Sequence, residues 1–143
     1  MTAEQLDRIR WLNRAFHAEK AAKAWLAKLE RDRSLAERIS RGLSSGGGSA
    51  GNSTEDALIR LADTERETQQ RLRELAAIRE EITQAIAAVE DYDMQAILVR
   101  HYLAYETFEL IAEKMHYSER SIKYKHKAAL DKVCIDFHPQ GVV

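Results

Sequence analysis

Cysteine is almost missing from this chain. Cys134 stands alone among 143 residues, so no internal disulfide can form, a pattern compatible with a reducing cytosol. One proline, six glycines and 7% aromatics argue against a many-turned sandwich or barrel and exclude a collagen-like chain. No apolar run approaches the roughly 20 residues needed to cross a bilayer. The start, Met1-Thr2-Ala3-Glu4-Gln5, has neither a basic n-region nor an apolar h-region, so nothing suggests secretion. Bulk charge is also lacking, with a net of −1. What remains is a chain 45% hydrophobic and 31% charged, able to bury a core and biased towards helix. The expectation is a soluble, cytoplasmic, all-α protein with no membrane partner.

The small net charge hides segregation. Residues 1–42 hold ten Lys/Arg against six Asp/Glu, whereas residues 54–93 hold five against eleven. Residues 114–132 are basic again, with six against two. Opposite signs on the first two blocks favour their pairing, and the third is a candidate anion-binding surface.

Five of the six glycines fall within residues 42–53, Gly-Leu-Ser-Ser-Gly-Gly-Gly-Ser-Ala-Gly-Asn-Ser, which predicts a flexible connector. Upstream, Leu6, Ile9, Leu12, Phe16, Ala22, Leu26, Leu29, Ala36 and Ile39 suit one face of a single long helix over residues 3–41. Downstream, Ser53 or Thr54 can cap a second helix over 54–90. Its residues Leu58, Leu61, Glu65, Thr68, Leu72, Leu75, Arg79, Ile82, Ile86 and Val89 form an imperfect heptad seam. Similar length, opposite charge and a connector predict a long antiparallel helical hairpin, coiled-coil-like, over residues 1–90. Trp11 and Trp25 read as seam or interface residues. Such a hairpin suits self-association into a homodimer.

From Asp91 the pattern breaks into short helices. Met94, Ile97, Leu98 and Tyr102 share one face of the first. Thr107 can cap a second helix, 108–115, and Ser118 a third, from Glu119 to about Val133. Ile122, Ala129, Leu130 and Val133 face inward, with His126 near the edge. Two short helices across a tight turn make a helix-turn-helix, expected as the C-terminal domain over 91–135, before a tail at 136–143. Arg120, Lys123, Tyr124 and Lys127 fall on the opposite side of the last helix. A helix entering the major groove can present Arg and Lys to guanine, while Lys side chains and a Ser118-capped N-terminus meet phosphates. Glu119 can accept from a cytosine amino group or orient a basic neighbour.

Residues 107–132 resemble the region-4 helix-turn-helix of bacterial sigma factors, through the capped Ile111-Ala112, the turn at Ser118, Ile122 and the closing Ala129-Leu130. In layout the chain is similar to small phage and prophage regulators of the ArpU/RinA late-transcription type. There a helical N-terminal part precedes a sigma-like module with an Ile-Leu-x-x-x-Tyr-Leu approach, here Ile97-Leu98 and Tyr102-Leu103. The resemblance implies a regulator of late gene expression that binds double-stranded DNA, with Glu119, Arg120, Lys123 and Tyr124 reading bases and Lys127 on the backbone. Tyr124 departs from the polar reader of many sigma-like modules. No counterpart of sigma region 2 is present, so a promoter-melting sigma factor is not expected.

Two other assignments fit the same layout: the DNA-binding small subunit of a packaging terminase, and an adaptor that binds RNA polymerase without reading DNA. Catalysis and cofactors are not expected. Cys134 and His138 lack a second pair at zinc spacing, the glycine run lacks the Lys-Ser/Thr of a phosphate loop, and His101, His116, His126 and His138 are dispersed.

Overall fold

In the computed structural model, which describes residues 1–43 and 50–135, the described chain is all-helical. The elements are α1 (Ala3–Leu12), α2 (Arg14–Leu43), α3 (Ala50–Ala87), α4 (Tyr92–Leu98), a π-helical turn (Val99–Leu103), α5 (Phe108–Met115) and α6 (Glu119–Lys132). None is long and apolar enough to cross a membrane. Two compact units emerge, one of Met1–His17 with Ala77–Val143 and the other of Ala18–Ala76. Residues 1–17 and 77–90 therefore pack with the segment 91–135 rather than with the remainder of 1–90. The expected tail, 136–143, and most of the expected connector, 44–49, lie outside the described residues. Its last four residues, 50–53, belong to α3, which starts one turn before the anticipated cap. Adding a turn to an established helix needs no new nucleus.

The single helix expected over 3–41 is broken at Asn13, which separates α1 from α2. Arg14 Nε donates to the Trp11 carbonyl at 3.0 Å, giving that end of α1 a side-chain partner. At its start α1 carries a reciprocal capping box, Thr2 Oγ1 accepting from Gln5 N and Gln5 Oε1 accepting from Thr2 N.

In the second unit the buried positions are Ala22, Ala36, Ala57, Thr64 and Thr68. With half-buried neighbours they give a regular pattern on each helix: Ala18, Ala22, Trp25, Leu29, Asp32, Ala36, Ile39 on α2, and Ala57, Leu61, Thr64, Thr68, Arg71, Leu75 on α3. Leu26, Leu58 and Leu72, expected in the seam, are 42%, 52% and 39% exposed on its flank. The expected flaw Glu65 vanishes because Thr64 holds the seam position instead. Small Ala and Thr residues let the helices approach, and the hydroxyls find partners. Thr64 Oγ1 lies 2.6 Å from Asp32 Oδ2 and accepts from Lys28 Nζ at 2.9 Å. Thr68 Oγ1 donates to Thr64 O at 2.7 Å and lies 3.3 Å from Trp25 O. The hydrogen bonds from Lys28 and Thr64 hold the Asp32 carboxyl below its ordinary range. Partners pair in opposite order along the two helices: Trp25 with Thr68, Asp32 with Thr64, and Ala36 beside Leu58 and Leu61.

The core of the first unit is larger and more apolar. Leu12 and Ala15 meet Ile82 and Ile86 of α3, Val89 just beyond it, Leu98 and Tyr102, and Ala129 and Leu130 of α6 with Val133 at its C-cap. A second cluster, Ile97, Ile111, Ala112 and Ile122, locks α4, α5 and α6 together. Fully burying each of these Leu and Ile side chains is worth about 1.5–3 kcal/mol.

Candidate nucleic-acid interface

The site is built on α5, a three-residue turn and α6. Thr107 Oγ1 caps α5 by accepting from Leu110 N at 3.2 Å. His116 then ends it in a left-handed conformation, φ 61° and ψ 40°, and Tyr117 N donates to Ala112 O at 3.0 Å. Ser118 Oγ opens α6 by accepting from Ser121 N at 3.1 Å. The chain thus reverses within His116, Tyr117 and Ser118, and Ala112 and Ile122 are buried where the two helices meet.

The inner stripe of α6 is Ile122, His126, Ala129 and Leu130. That leaves Glu119, Arg120, Lys123, Tyr124 and Lys127 exposed on its other side, Tyr124 at 76%. Glu119 accepts an ion pair from Lys123 Nζ at 3.2 Å, an exposed i, i+4 contact that aligns the lysine along the helix. Arg120 and Lys127 have no ion-pair partner among the described residues, so their charge is available.

The remaining basic residues of 114–132 divide differently. Lys114 is 2.7 Å from Glu106, whose carboxylate also meets Arg100 at 3.1 Å. The Lys114 hydrogen bond, with Arg100's help against burial, holds the Glu106 carboxyl below its ordinary range. Lys125 lies 3.7 Å from Asp93 and over the Tyr117 ring at 5.0 Å, while Tyr117 OH donates to Asp93 at 2.5 Å. Lys114 thus ties α5 to the loop before it and Lys125 ties α6 to α4, Lys132 is exposed in the last turn of α6, and Arg120, Lys123 and Lys127 line the outer face.

Sequence reasoning missed two supports of this face. One is Gln5, buried in α1, whose Nε2 donates to Lys127 O at 3.3 Å and Asp131 Oδ1 at 3.1 Å. α1 therefore borders the second half of α6, leaving the first two turns open. No local pattern marks a partner more than a hundred residues away. The other is His126, expected near the edge and found 4% exposed. It shares a 2.6 Å hydrogen bond with the Tyr102 hydroxyl, and its ring centroid lies 5.6 Å from His101 and 4.8 Å from Phe108. His101 stacks on Phe108 at 4.2 Å and pairs through Nδ1 with Glu106 O at 2.8 Å. The histidines dispersed in sequence thus partly gather in space. Spacing carried a signal, since His126 stands four residues from both Ile122 and Leu130. Burial, then the neighbouring His101, push the His126 imidazole down to about 4, and burial lowers His101 as well. Burial raises the Tyr102 phenol.

No protein-family model, curated protein or solved structure matches this chain.

Among the described residues no three His, Cys, Asp or Glu side chains gather as a metal-holding group. Cys134 is an exposed free thiol, and His138 lies outside the described residues. What α6 offers chemically is an array of donors at helical spacing: a guanidinium, two ammonium groups, a phenol, and an N-terminus whose positive dipole end favours anions.

Proposed function

We propose that this chain is a sequence-specific binder of double-stranded DNA that regulates transcription, acting by recognition rather than catalysis. In this reading it is an antiparallel helical hairpin carrying a C-terminal helix-turn-helix, with α6 as the recognition helix and α5 bracing it. The observation that carries the proposal is the division of α6. Ile122, His126, Ala129 and Leu130 are buried, while Arg120, Lys123, Tyr124 and Lys127 stand exposed along the opposite side. Bordering of the second half of α6 by α1 fits a mode in which the N-terminal turns of the helix meet base edges. Arg120 and Lys123 then address guanine, Tyr124 packs on a thymine methyl or sugar, and Lys127 and the Ser118 terminus meet phosphates. The late-gene setting, in phage or prophage, and a contact with RNA polymerase rest on the sigma-like resemblance of residues 107–132. Two copies bound to a palindromic site would present two recognition helices.

The test is selection of duplexes by the full chain, followed by binding of selected and scrambled sequences across a salt series. Preferential, salt-dependent binding that fails in Arg120→Ala and Lys123→Ala is expected. Equal binding of every duplex by parent and variants would remove base reading. Polymerase capture without any duplex binding would replace it with the adaptor role.

A further inference from the structure

The two flanks of the seam in the Ala18–Ala76 unit differ in kind. One carries Lys28, Arg60, Glu67 and Glu74, with Lys28 paired to Asp32 at 2.8 Å and Glu67 and Glu74 paired to Arg71 at 2.9 and 3.6 Å. Its Lys28, Glu67 and Glu74 charges are paired within the unit, and Leu35, one heptad on from Lys28, is half-buried. The other carries Leu26, Arg33 and Ser40 of α2 and Leu58, Glu65 and Leu72 of α3, each set stepping by seven residues. Arg33 lies 4.0 Å from Glu65, and Ser40, Ala36 and Arg33 share a groove of about 520 Å³ with Leu58 and Leu61. One heptad on from the Arg33–Glu65 pair, Leu26 and Leu72 fall on this same flank. Three of the unit's leucines thus lie outside the seam on one outer side, where Leu26, Leu58 and Leu72 remain 39–52% exposed.

We infer that this flank is the self-association surface of the protein, and that its occupant is the same flank of a second copy, related by a two-fold axis parallel to the helices. The charge pattern selects that symmetry. A two-fold along the helices sets α2 of one copy on α3 of the other at equal height, so that Leu26 meets the partner's Leu72 and Arg33 meets the partner's Glu65. A two-fold across the helices would instead set arginine on arginine and glutamate on glutamate, a repulsive match. The contact is isologous, uses the basic character of α2 against the acidic character of α3, and covers the leucines that the two-helix seam leaves in water. It names the surface behind the pairing assumed above but does not depend on base reading.

Sedimentation of the full chain over a concentration series tests it, with circular dichroism confirming helix content. The parent should be a dimer, and Leu26→Glu and Leu72→Glu should sediment as monomers at concentrations where the parent is paired. The separating experiment uses charge. Arg33→Glu alone and Glu65→Arg alone should each be monomeric, because each faces its own copy with like charges. Mixed together they should form a heterodimer, since glutamates of one then meet arginines of the other. Each chain keeps like charges within itself, so a purely intramolecular role for the Arg33–Glu65 pair could not produce that rescue. A monomeric parent at every concentration, dimers that survive both leucine changes, or a mixture that stays monomeric would each overturn the assignment. Arg120→Ala and Lys123→Ala should leave sedimentation unchanged, so failure of base reading and failure of this interface would register in different measurements.

Discussion

Single side chains on α6 are asked to do different things, and their surroundings separate them. Arg120 is exposed with no ion-pair partner among the described residues, whereas Lys123 is held by Glu119 at 3.2 Å. Replacing either by Ala should cost about 1–3 kcal/mol on the selected duplex if it reads a base edge, measured by titration against scrambled DNA. Lys127→Ala should weaken all duplexes alike and reduce the salt slope by about one. Glu119→Ala frees Lys123 and removes a negative charge, so non-specific affinity should rise while discrimination falls. On the inner side, His126 is buried neutral with its imidazole pushed down to about 4. Its unfolded value is near 6.5, so the unfolded chain binds the proton first. The stability held above pH 6.5 should therefore fall as pH drops towards 4, by about 3 kcal/mol in total from this group. Denaturant midpoints across that range should show the loss, and His126→Phe should flatten it. Tyr102→Phe leaves His126 without its hydrogen-bond partner and should cost about 1–3 kcal/mol near neutral pH.

At the scale of elements, α1 is the piece whose role depends most on one contact. The Gln5 amide is the link by which α1 reaches the Lys127 carbonyl and the Asp131 carboxylate, and Leu12 anchors its other end in the core. Gln5→Ala should cost about 1–3 kcal/mol and raise hydrogen exchange in α1 before α6, because two part-buried hydrogen bonds from α1 to α6 are lost while Leu12 stays packed. The π-helical turn Val99–Leu103 has a comparable supporting role. It carries Arg100, His101 and Tyr102 to Glu106, Phe108 and His126 respectively, binding α4's continuation to both later helices. Its five-residue spacing is invisible to a reading based on 3.6-residue periodicity. The caps were legible: Thr107 and Ser118 are short polar residues before apolar-periodic runs, and both accept from the N–H three residues on.

For the molecule as a whole, stability is unevenly distributed between the two units. Ile82, fully buried beside Leu12, Ile86 and Leu98, should cost about 2–5 kcal/mol on truncation to Ala, read by chemical denaturation. Leu72 is 39% exposed, so its truncation should change unfolding of the isolated chain far less. Its effect belongs to self-association. The second unit fully buries only Ala and Thr side chains, its Trp25, Leu29, Leu61 and Leu75 being half-buried, and the Lys28, Asp32 and Thr64 network contributes orientation more than net energy.

The sequence by itself determined that the described chain is helical, because helix formers, rare proline and 3-and-4 spacing are local properties that need no knowledge of neighbours. It also determined the capped short helices 108–115 and 119–132 and the apolar stripe of α6. Tertiary structure decided which side of each long helix is buried. Leu58 and Leu72 look like better seam residues than Ala57 and Arg71, yet a one-residue shift buries small Ala57 and half-buries Arg71 while both leucines stay exposed. It decided the descent of Gln5 onto α6 and the burial of His126 against Tyr102, each set by partners 24 or more residues away. Periodicity reports how a residue relates to its own helix. Only packing reports what that side of the helix meets.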